Sequence, residues 1–388
     1  MTLDRASFVT RIFDQVDAKL PDLADAPVHR SADTYTDPER FVHEVDLLFR
    51  HRPVLVGYTA ELPEPGDYKS TAIAGVPIIV LRGQDGRARA FHNSCLHRGA
   101  PLLEEPHGRG LKRFSCGFHG WNYDNQGNLA MIPSKSCFPD LVAEGRTLKP
   151  ISAEEKYGMI FAVLRGVEAP DIDSFLGADL AAELSAYNWD AMHMVTQETV
   201  RFRSNWKLAV DSFGENYHVP YLHPTTLFPQ TLAPSMAIDY FGDHVRFVFG
   251  MESISEIRDH PELWADAIVG RHLFIAYNLF PNVSLSTVPG ALGAFHTLPG
   301  RTPGECELVY TYLADPNLDP DFRTMVDTFL DYNWNQVVKP QDLPIIEGIW
   351  RSMESGSCSE VYFGRNEAPV QHFHAGWDRA MAEAAGTS

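Results

Sequence analysis

The sequence lacks long apolar runs and has few basic residues. Its apolar stretch from Val76 to Leu81 is far too short to cross a membrane. The first twenty residues, MTLDRASFVTRIFDQVDAKL, lack the apolar core of a signal peptide. The 32 Lys and Arg are outnumbered by 51 Asp and Glu, which gives a net charge of −19. These features argue against a nucleic-acid partner and predict a cytoplasmic protein without membrane contact.

Cysteine is also scarce. The chain has five cysteines, an odd number that does not suggest a disulfide framework and fits a reducing compartment. In such a compartment, clustered Cys and His usually indicate metal binding or catalysis. Three cysteines have no His at ligand spacing, and we expect them to be core or surface thiols: Cys137, Cys306 and Cys358.

A chain of 388 residues has room for two domains, and the predicted secondary structure changes along its length. Residues 1–45 read as one helix plus a loop, an N-terminal segment that we expect to pack on the later domain. Residues 46–166 are rich in short β-runs divided by turn signals. Residues 167–388 are mixed, and the patterns predict a helix over 205–223 and a long helical region over 321–354 interrupted at Pro340 and Pro344. Further strands are predicted at 53–62, 76–83, 87–93, 159–166, 244–251, 273–277, 283–287 and 304–315.

The β-rich segment carries a C-x-H and a C-x-x-H motif with 18 residues between them. The first is Cys95-Leu96-His97 and the second is Cys116-Gly117-Phe118-His119. Two thiolates and two imidazoles can hold a tetrahedral zinc ion, or a [2Fe–2S] cluster with two Cys on one iron and two His on the other. Each motif supplies one Cys and one His, so each would span both irons. The nearby glycines allow close backbone approach to inorganic sulfides, and the pattern favours the cluster.

The second constellation, NWKLAVDSFGENYHVPYLHPTT, spans residues 205–226. It contains His218 and His223, and two His with one carboxylate form the site of non-haem iron enzymes that activate O2. Residues five apart on a regular helix point in different directions. We expect Pro220 to break the helical ladder and open a widened turn that lets both imidazoles reach one ion.

The carboxylate ligand must come from elsewhere in the chain. We select Asp342, in VKPQDLPIIEGIWRSMES, because it opens a helical segment after Pro340. Asp331 and Glu347 are the alternatives. In isolation, Asp342 is equally well explained as an ordinary carboxylate at a helix N-terminus.

These strings resemble the α subunits of Rieske ring-hydroxylating and demethylating oxygenases, over essentially the whole chain from Val54 to Trp377. The resemblance implies an α+β fold, in which an all-β Rieske [2Fe–2S] domain of two small antiparallel sheets accompanies a catalytic domain with a large antiparallel sheet flanked by helices. It implies that Glu215, three residues before the first iron ligand, bridges the cluster of one subunit to the iron of its neighbour. The ligands implied are Cys95, His97, Cys116 and His119 for the cluster, and His218, His223 and Asp342 for the iron.

The resemblance also implies cofactors and partners. Electrons from NAD(P)H reach the [2Fe–2S] cluster through a separate reductase or ferredoxin and then pass to a mononuclear Fe(II) that uses O2 on a small organic substrate. Such an enzyme is expected to be a homotrimer, with or without a β subunit. The protein supplies orientation, water exclusion and electronic tuning.

The substrate is expected to lie among aromatic side chains between the iron site and the late strands. Aromatic faces suit a planar apolar substrate or a cation. Four basic residues of the same region could recognise a carboxylate: Arg246, Arg271, His272 and His296. The candidate lining residues are Phe228, Phe241, Phe247, Phe249, Phe274, Tyr277, Phe280 and Phe295.

The main hypothesis from the sequence is therefore hydroxylation of an aromatic compound by mono- or dioxygenation. The alternative is a monooxygenase or demethylase for a quaternary ammonium or methoxy substrate. Glu215 and the tail EVYFGRNEAPVQHFH (360–374) resemble the corresponding positions of the family members that act on quaternary ammonium compounds. Two hypotheses from other classes are a Rieske electron carrier without oxygenase activity and a zinc-stapled binding protein. The absence of an extra Cys in either cluster loop separates the chain from respiratory Rieske subunits.

Overall fold

The computed structural model describes residues 3–143, 145–166 and 168–386. They form two compact units. The β unit comprises Asp46–Phe175 with Trp189–Ala191, and the mixed unit comprises Met1–Val45, Leu176–Asn188 and Met192–Ser388. The β unit therefore continues beyond the predicted boundary at residue 166. The hydroxyl of Tyr157 donates to Asp173 at 2.5 Å, and this hydrogen bond attaches the segment after residue 166 to the rest of the β unit.

Among the described residues there are eleven α-helices and one π-helix, which spans Asn333–Asp342. The α-helices are α1 (Arg5–Ala18), α2 (Asp33–Thr36), α3 (Pro38–Arg50), α4 (Pro139–Ala143), α5 (Ile172–Leu176), α6 (Ala178–Ser185), α7 (Trp206–Ser212), α8 (Val219–Leu222), α9 (Pro320–Tyr332), α10 (Leu343–Glu354) and α11 (Ala368–Gly386).

The described residues form nineteen strands. They are β1 (Val28–Ser31), β2 (Val54–Tyr58), β3 (Tyr68–Ile73), β4 (Val76–Arg82), β5 (Ala88–His92), β6 (His107–Gly108), β7 (Arg113–Ser115), β8 (Asn122–Asp124), β9 (Leu129–Met131), β10 (Pro150–Lys156), β11 (Met159–Val163), β12 (His193–Phe202), β13 (Ala237–Phe241), β14 (His244–Gly250), β15 (Leu273–Leu279), β16 (Val283–Val288), β17 (Ala291–Pro299), β18 (Cys306–Ala314) and β19 (Glu360–Phe363).

Two antiparallel sheets build the β unit. A seven-stranded sheet has the order β2-β11-β10-β5-β4-β3-β6, and a three-stranded sheet has the order β7-β8-β9. Gly127, in the turn after β8, has φ of +83°, and a Cβ there would come within 2.6 Å of the Phe91 ring. The turn therefore requires glycine. The hydrophobic core of this unit includes Phe91, Trp121 and Tyr123 and reaches both cluster-motif cysteines.

A seven-stranded antiparallel sheet with the order β12-β18-β17-β16-β15-β14-β13 dominates the mixed unit. Most of its neighbouring strands follow each other in the chain, and the side chains of each strand alternate between its two faces. Helices pack against it; for example, α7 contacts β17. The α+β class and the large antiparallel sheet predicted from the sequence are confirmed.

The N-terminal segment is more structured than the predicted helix plus loop, which was wrong. It contains α1, the short strand β1 paired with β19, α2 and the beginning of α3. α3 begins at Pro38, where the missing N–H costs no hydrogen bond. In the same segment, Arg11 of α1 binds Asp239 of β13 at 2.9 Å, which attaches α1 to the large sheet.

Across residues 3–143, 145–166 and 168–386, no helix has the length and apolar character needed to cross a membrane.

Candidate active site

Two loops of the β unit adopt matching turns around the Cys and His motifs. The N–H of Gly99 donates to the carbonyl of Cys95 at 2.8 Å, and the N–H of Gly120 donates to the carbonyl of Cys116 at 2.9 Å. Both glycines have positive φ, +78° and +71°. This left-handed conformation lets each chain fold back behind its cysteine, so the motifs present their side chains in equivalent ways.

The four predicted cluster residues meet where these loops approach. The Nδ1 atoms of His97 and His119 lie 3.1 Å apart, and both rings are partly exposed. The thiols of Cys95 and Cys116 are buried and close enough to interact. The candidate metal-ligand atoms thus form one pair of sulfur atoms and one pair of nitrogen atoms. This set fits a [2Fe–2S] cluster with thiolates on the inner iron and imidazoles on the outer one.

Aromatic side chains surround the cluster residues. The hydroxyl of Tyr123 accepts from the N–H of Leu96 at 3.0 Å and lies 3.2 Å from Sγ of Cys95. Because its oxygen is already an acceptor, its proton is available to the sulfur. Trp121 stacks on His97 with the planes 8° apart. Phe118, at the tip of the second loop, is 63% exposed.

In the mixed unit, His218 and His223 flank a single helical turn, α8. The prediction of a continuous helix over 205–223 was wrong, because α7 ends at Ser212 and the chain turns at Gly214 before α8. The prediction of a widened turn at Pro220 was also wrong. The N–H of His223 donates to Val219 at 3.0 Å in a regular turn, and Pro220 lies in its first residues, where no donor is needed.

The widened backbone occurs instead in the π-helix that carries Asp342. Pro340 lies inside it, and the helical path continues without a break into α10, where Pro344 is in the first turn. Oδ1 of Asp342 lies 3.1 Å from Nε2 of His223 and 3.7 Å from Nε2 of His218.

The three side chains therefore offer one ligand atom each, all within 4.8 Å of one another. This arrangement fits a mononuclear iron with open coordination positions. The alternatives for the carboxylate are bonded elsewhere: Asp331 accepts from Asn335, and Glu347 accepts from the N–H of Arg203.

Glu215 and Gln341 orient the two histidines. Glu215 accepts from Nδ1 of His218 and, at 3.1 Å, from its backbone N–H. Gln341 accepts from Nδ1 of His223 at 2.8 Å. Each Nδ1 thus carries a proton, and each Nε2 lone pair points toward Asp342. Burial by itself lowers the pKa of His218, but hydrogen bonding and the charge of Glu215 outweigh it and raise that pKa above its usual value.

A cavity of about 180 Å³ adjoins this triad. One wall comes from β14 to β17 and the other from the segment after α7, from α9 and from the π-helix. Phenylalanines dominate the lining, and two carboxylates, Glu215 and Asp342, belong to it. Among the described lining residues, none is Lys or Arg. The aromatic lining consists of Phe213, Phe247, Phe249, Phe274, Phe295 and Phe329.

Some of the predicted lining residues lie elsewhere. Tyr277 faces the other side of β15, where its hydroxyl bonds Tyr187 at 2.8 Å and also Glu183. Phe241 is covered by a guanidinium, Phe280 packs against Phe373, and Phe228 is 38% exposed outside the lining. Phe247, Phe249, Phe274 and Phe295 do line the cavity.

The basic residues proposed for carboxylate recognition are also outside the cavity lining. Arg246 pairs with Glu183 and with Asp239 at 2.9 Å. Arg271 pairs with Glu256 at the surface, and Nδ1 of His272 accepts from the N–H of Ile268. His296 is buried and is not among the lining residues.

A second cavity, of about 220 Å³, lies on the other side of the triad residues. Its lining includes Glu215 and Asp342 with two further carboxylates, Asp211 and Glu367. Burial raises the pKa of Glu367, and the neighbouring carboxylates add to the effect. His218 and Asp342 thus line both cavities, the first rich in phenylalanine and the second carrying four carboxylates among mainly apolar side chains.

Several residues of these sites are not predicted from the sequence. Tyr123 and Gln341 contact the proposed ligands, but neither residue is singled out by a sequence motif of its own. Phe213 belongs to the quoted iron motif and therefore has a sequence signal, whereas Phe329 has none.

Residues 52–147 match the family model described as Rieske [2Fe-2S] domain, and residues 189–383 match the one described as ring hydroxylating alpha subunit (catalytic domain). The chain belongs to the ring-hydroxylating alpha subunit family. It is a Rieske non-haem iron oxygenase, with a [2Fe–2S] cluster and a mononuclear iron that uses O2 and reductase-delivered electrons. The predicted enzyme class and cofactors are confirmed, and the electron-carrier and zinc-protein alternatives were wrong.

Individual relatives act on quaternary ammonium compounds, according to their names. The glycine betaine monooxygenase oxygenase subunit of Chromohalobacter salexigens is 34% identical over 193 residues, 50% of this chain and 42% of that protein. The carnitine monooxygenase oxygenase subunit of Escherichia coli K12 is 24% identical over 88% of this chain and 90% of that protein.

Solved structures share the fold at about one-fifth identity. One is a quaternary ammonium Rieske monooxygenase whose structure concerns carnitine oxidation and inter-subunit electron transfer, with a TM-score of 0.75 and coverage of 96% of this chain and 98% of that chain. Naphthalene 1,2-dioxygenase from Rhodococcus sp. gives a TM-score of 0.76 and 98% coverage of both chains. Both are 20% identical to this chain.

Proposed function

We propose that this chain is the oxygenase component of a monooxygenase that hydroxylates a C–H bond of a quaternary ammonium substrate. The observation that carries the proposal is the cavity beside the iron triad. Aromatic faces attract cations, and the carboxylate of Glu215, which is outside the proposed set of iron ligands, favours positive charge in the same space. The names of the relatives support this substrate class over the aromatic compound expected from the sequence.

The proposed roles of the residues follow from the geometry. Cys95, His97, Cys116 and His119 would hold the cluster, and His218, His223 and Asp342 would hold the iron. When bound, the iron supplies the site at which O2 is activated. The phenylalanines exclude water and orient the substrate C–H bond. One oxygen atom of O2 enters that bond and the other leaves as water, and the balance requires two electrons and two protons.

We also propose that electrons pass between copies of the chain in a homotrimer, with Glu215 as the bridge. Glu215 contacts His218 and lines the second, acidic cavity, so it belongs to both sides of the iron site. Ile345 and Ile349 line the same cavity and are 50% and 41% exposed. In the β unit, Phe118 exposes an apolar ring beside a cluster ligand. These surfaces suit contacts between copies.

Ring hydroxylation of an aromatic compound is the second candidate. It is favoured by the six phenylalanines of the cavity, because stacked rings also accommodate a planar apolar substrate. The fold shared with naphthalene 1,2-dioxygenase is compatible with it. A dioxygenase would deliver both oxygen atoms to the substrate, so the product distinguishes the two candidates.

The test is a single turnover of iron-loaded, chemically reduced protein exposed to ¹⁸O2. The substrates are a panel of quaternary ammonium compounds and, separately, a panel of arenes and methoxyarenes. We expect one labelled oxygen in an ammonium product, or an aldehyde and the dealkylated amine derived from it. Incorporation of two labelled atoms into an arene, with no ammonium turnover, would replace this proposal by the second candidate.

A further inference from the structure

We propose that Trp334 and Glu198 form a redox exit that protects the iron site when O2 reacts in the absence of substrate. In this role Trp334 gives up an electron to the oxidant left in the empty cavity, and Glu198 takes the indole proton. The function is separate from hydroxylation and does not depend on the substrate class, because it operates when the cavity holds no substrate.

Aromatic rings lie in contact from the cavity to Trp334. Phe213 and Phe295 line the cavity together with the iron triad, and the centroids of their stacked rings are 4.9 Å apart. The ring of Phe295 lies 5.3 Å from that of Tyr310 and 6.0 Å from that of Trp334. Tyr310 and Trp334 stack at 4.8 Å with their planes 17° apart. All of these are separations of rings in direct contact, so an electron can pass without any residue moving.

Trp334 is also close to the iron triad along the chain. It is on the π-helix that carries Asp342, eight positions earlier, which is roughly 12 Å along the axis at about 1.5 Å per residue. Its neighbour Asn333 lines the cavity. The side chain of Trp334 is only 2% exposed, which shields it from oxidants in solution. The cavity is therefore the side from which Trp334 would be oxidised.

Glu198 supplies the proton acceptor. Nε1 of Trp334 donates to Oε2 of Glu198 at 2.6 Å, and the side chain of Glu198 is 45% exposed. Lys339 binds the same carboxylate at 3.0 Å, and its ammonium lies 5.0 Å from the centre of the Trp334 ring. A cation over the ring favours the electron-rich indole and opposes a radical cation. Loss of the N–H proton removes that positive charge, so the electron and the proton leave together.

The charge of Glu198 fits this role. Burial by itself raises its pKa, but hydrogen bonds from Trp334 and Lys339 outweigh it and hold that pKa below its usual 4.5. Glu198 is therefore ionised at neutral pH and can accept a proton. The hydroxyl of Tyr310 donates only to the backbone carbonyl of Leu330, at 3.3 Å, which is not a base. The oxidation is thus expected to settle on Trp334, with Tyr310 as a stacked neighbour.

The step balances as a one-electron oxidation. Trp334 loses one electron to the oxidant formed from O2 at the iron and its Nε1 proton to Glu198. A neutral indolyl radical and a carboxylic acid remain, and the exposed Glu198 passes the proton to water. A one-electron donor in solution, such as ascorbate or a thiolate, restores the indole together with one proton from water.

The experiment mixes iron-loaded, chemically reduced protein with O2 in the absence of substrate, freezes it rapidly and records the electron paramagnetic resonance spectrum. We expect an organic radical whose signal narrows when the protein carries ring-deuterated tryptophan. The signal should be lost in Trp334→Phe. It should fall strongly in Glu198→Gln, which keeps the size of the side chain and an acceptor for the N–H but is not a base. Iron and sulfide contents show whether each variant has filled metal sites.

Tyr310→Phe and Trp377→Phe are the matched controls. Tyr310→Phe keeps the stacked ring and removes only the hydroxyl. Trp377 is another fully buried tryptophan of the mixed unit, and its Nε1 donates to the backbone carbonyl of Pro281 rather than to a carboxylate. Both variants should keep the radical signal.

Peptide mass spectrometry after repeated exposure to O2 gives a second readout. In wild type, added oxygen should appear at Trp334 and decrease when ascorbate is present. In Trp334→Phe it should appear instead on residues that line the cavity. A radical of unchanged intensity in Trp334→Phe would overturn the proposal. Loss of the signal in either control, or O2 consumption by wild type with neither a radical nor an oxidised residue, would also overturn it.

Discussion

The Nδ1–H of His223 donates to Oε1 of Gln341 at 2.8 Å, and the other end of the same amide donates to the backbone carbonyl of Gln336 at 2.6 Å. Pro340 cannot donate a backbone hydrogen bond, and Gln336 is the residue four positions before it. The side chain of Gln341 thus caps a carbonyl in the turn around Pro340 and orients a histidine of the iron triad. The irregular helix and the metal geometry are linked through one residue.

Replacing Gln341 by Leu is expected to weaken iron binding by roughly 10- to 100-fold, because Nδ1 of His223 loses its acceptor and the ring loses its fixed orientation. Titration of the apo-iron protein with Fe(II) measures this affinity. Gln336→Leu, which changes an exposed side chain of the same helix, is the control and should bind iron normally. Unchanged affinity in Gln341→Leu would show that the amide does not orient the ligand.

Glu215→Gln is expected to leave both metal sites filled but to slow electron delivery, since the variant loses the charge of the proposed bridge while keeping its size. Rapid mixing of the reduced protein with O2 and substrate measures the rate of cluster oxidation. Iron and sulfide contents serve as the check on metal binding. An unchanged rate would count against the bridge.

Tyr123→Phe is expected to lower the reduction potential of the cluster by roughly 20–60 mV, because one hydrogen bond to Sγ of Cys95 stabilises the more negative reduced state. The potential is measured by redox titration of the cluster spectrum. Tyr157→Phe, which removes a hydroxyl of the same unit that binds Asp173, should leave the potential unchanged. An equal shift in both variants would refute a specific effect of Tyr123.

Glu155 links stability to pH. Burial by itself raises the pKa of Glu155, but hydrogen bonds from Arg82 and Thr59 outweigh it and hold that pKa below its usual 4.5. A carboxylate with a lowered pKa stabilises the fold above its unfolded pKa, and this contribution is lost as the pH falls through the folded value.

We therefore expect Glu155→Gln to lower the free energy of unfolding by about 2 kcal/mol at pH 7, the magnitude of a charge-assisted pair. Denaturant unfolding at a series of pH values measures the difference from wild type. The difference should shrink as the pH falls below about 4.5. A difference that stays constant down to pH 3 would contradict this assignment.

Ile345→Asp and Phe118→Asp are expected to reduce trimer formation, because each buries a charge in the proposed contact between copies. Sedimentation velocity gives the mass in solution. Ile268→Asp, at another exposed apolar position, is the control and should stay trimeric. A wild-type protein that sediments as a monomer and still turns over would remove the proposal of transfer between copies.

The proposed cluster site could be predicted because its four candidate ligands lie in two short motifs, each held by a local turn. The iron histidines share one motif for the same reason. Asp342 lies 119 positions from His223. Its place at the start of a helical segment after Pro340 makes it a candidate, and only the family resemblance favours it over an ordinary carboxylate at a helix N-terminus. Neither the π-helix nor the role of Gln341 has a sequence signal, because both depend on how Pro340 is accommodated in three dimensions.

The residues that line the cavity were predicted less well, although the alternation of side chains along a strand would have improved that prediction. Phe274 and Tyr277 are three residues apart on one strand, so they must face opposite sides of the sheet. Both could not line one cavity. The aromatic content of the sequence identified the region that forms the cavity. The alternation of side chains along β15 would have excluded Tyr277 from the cavity lining.

Most of the β unit is one stretch of chain between two parts of the mixed unit, and the start of this stretch lies close to Arg165, which follows β11. Asp46, its first residue, pairs with Arg165 at 2.8 Å, and the N–H of Arg165 donates to the carbonyl of Arg50 at 2.7 Å. An insert with adjoining ends can be exchanged as a cassette. Grafting [2Fe–2S] cassettes of different potential at this junction would vary the driving force for electron transfer while the substrate cavity stays the same.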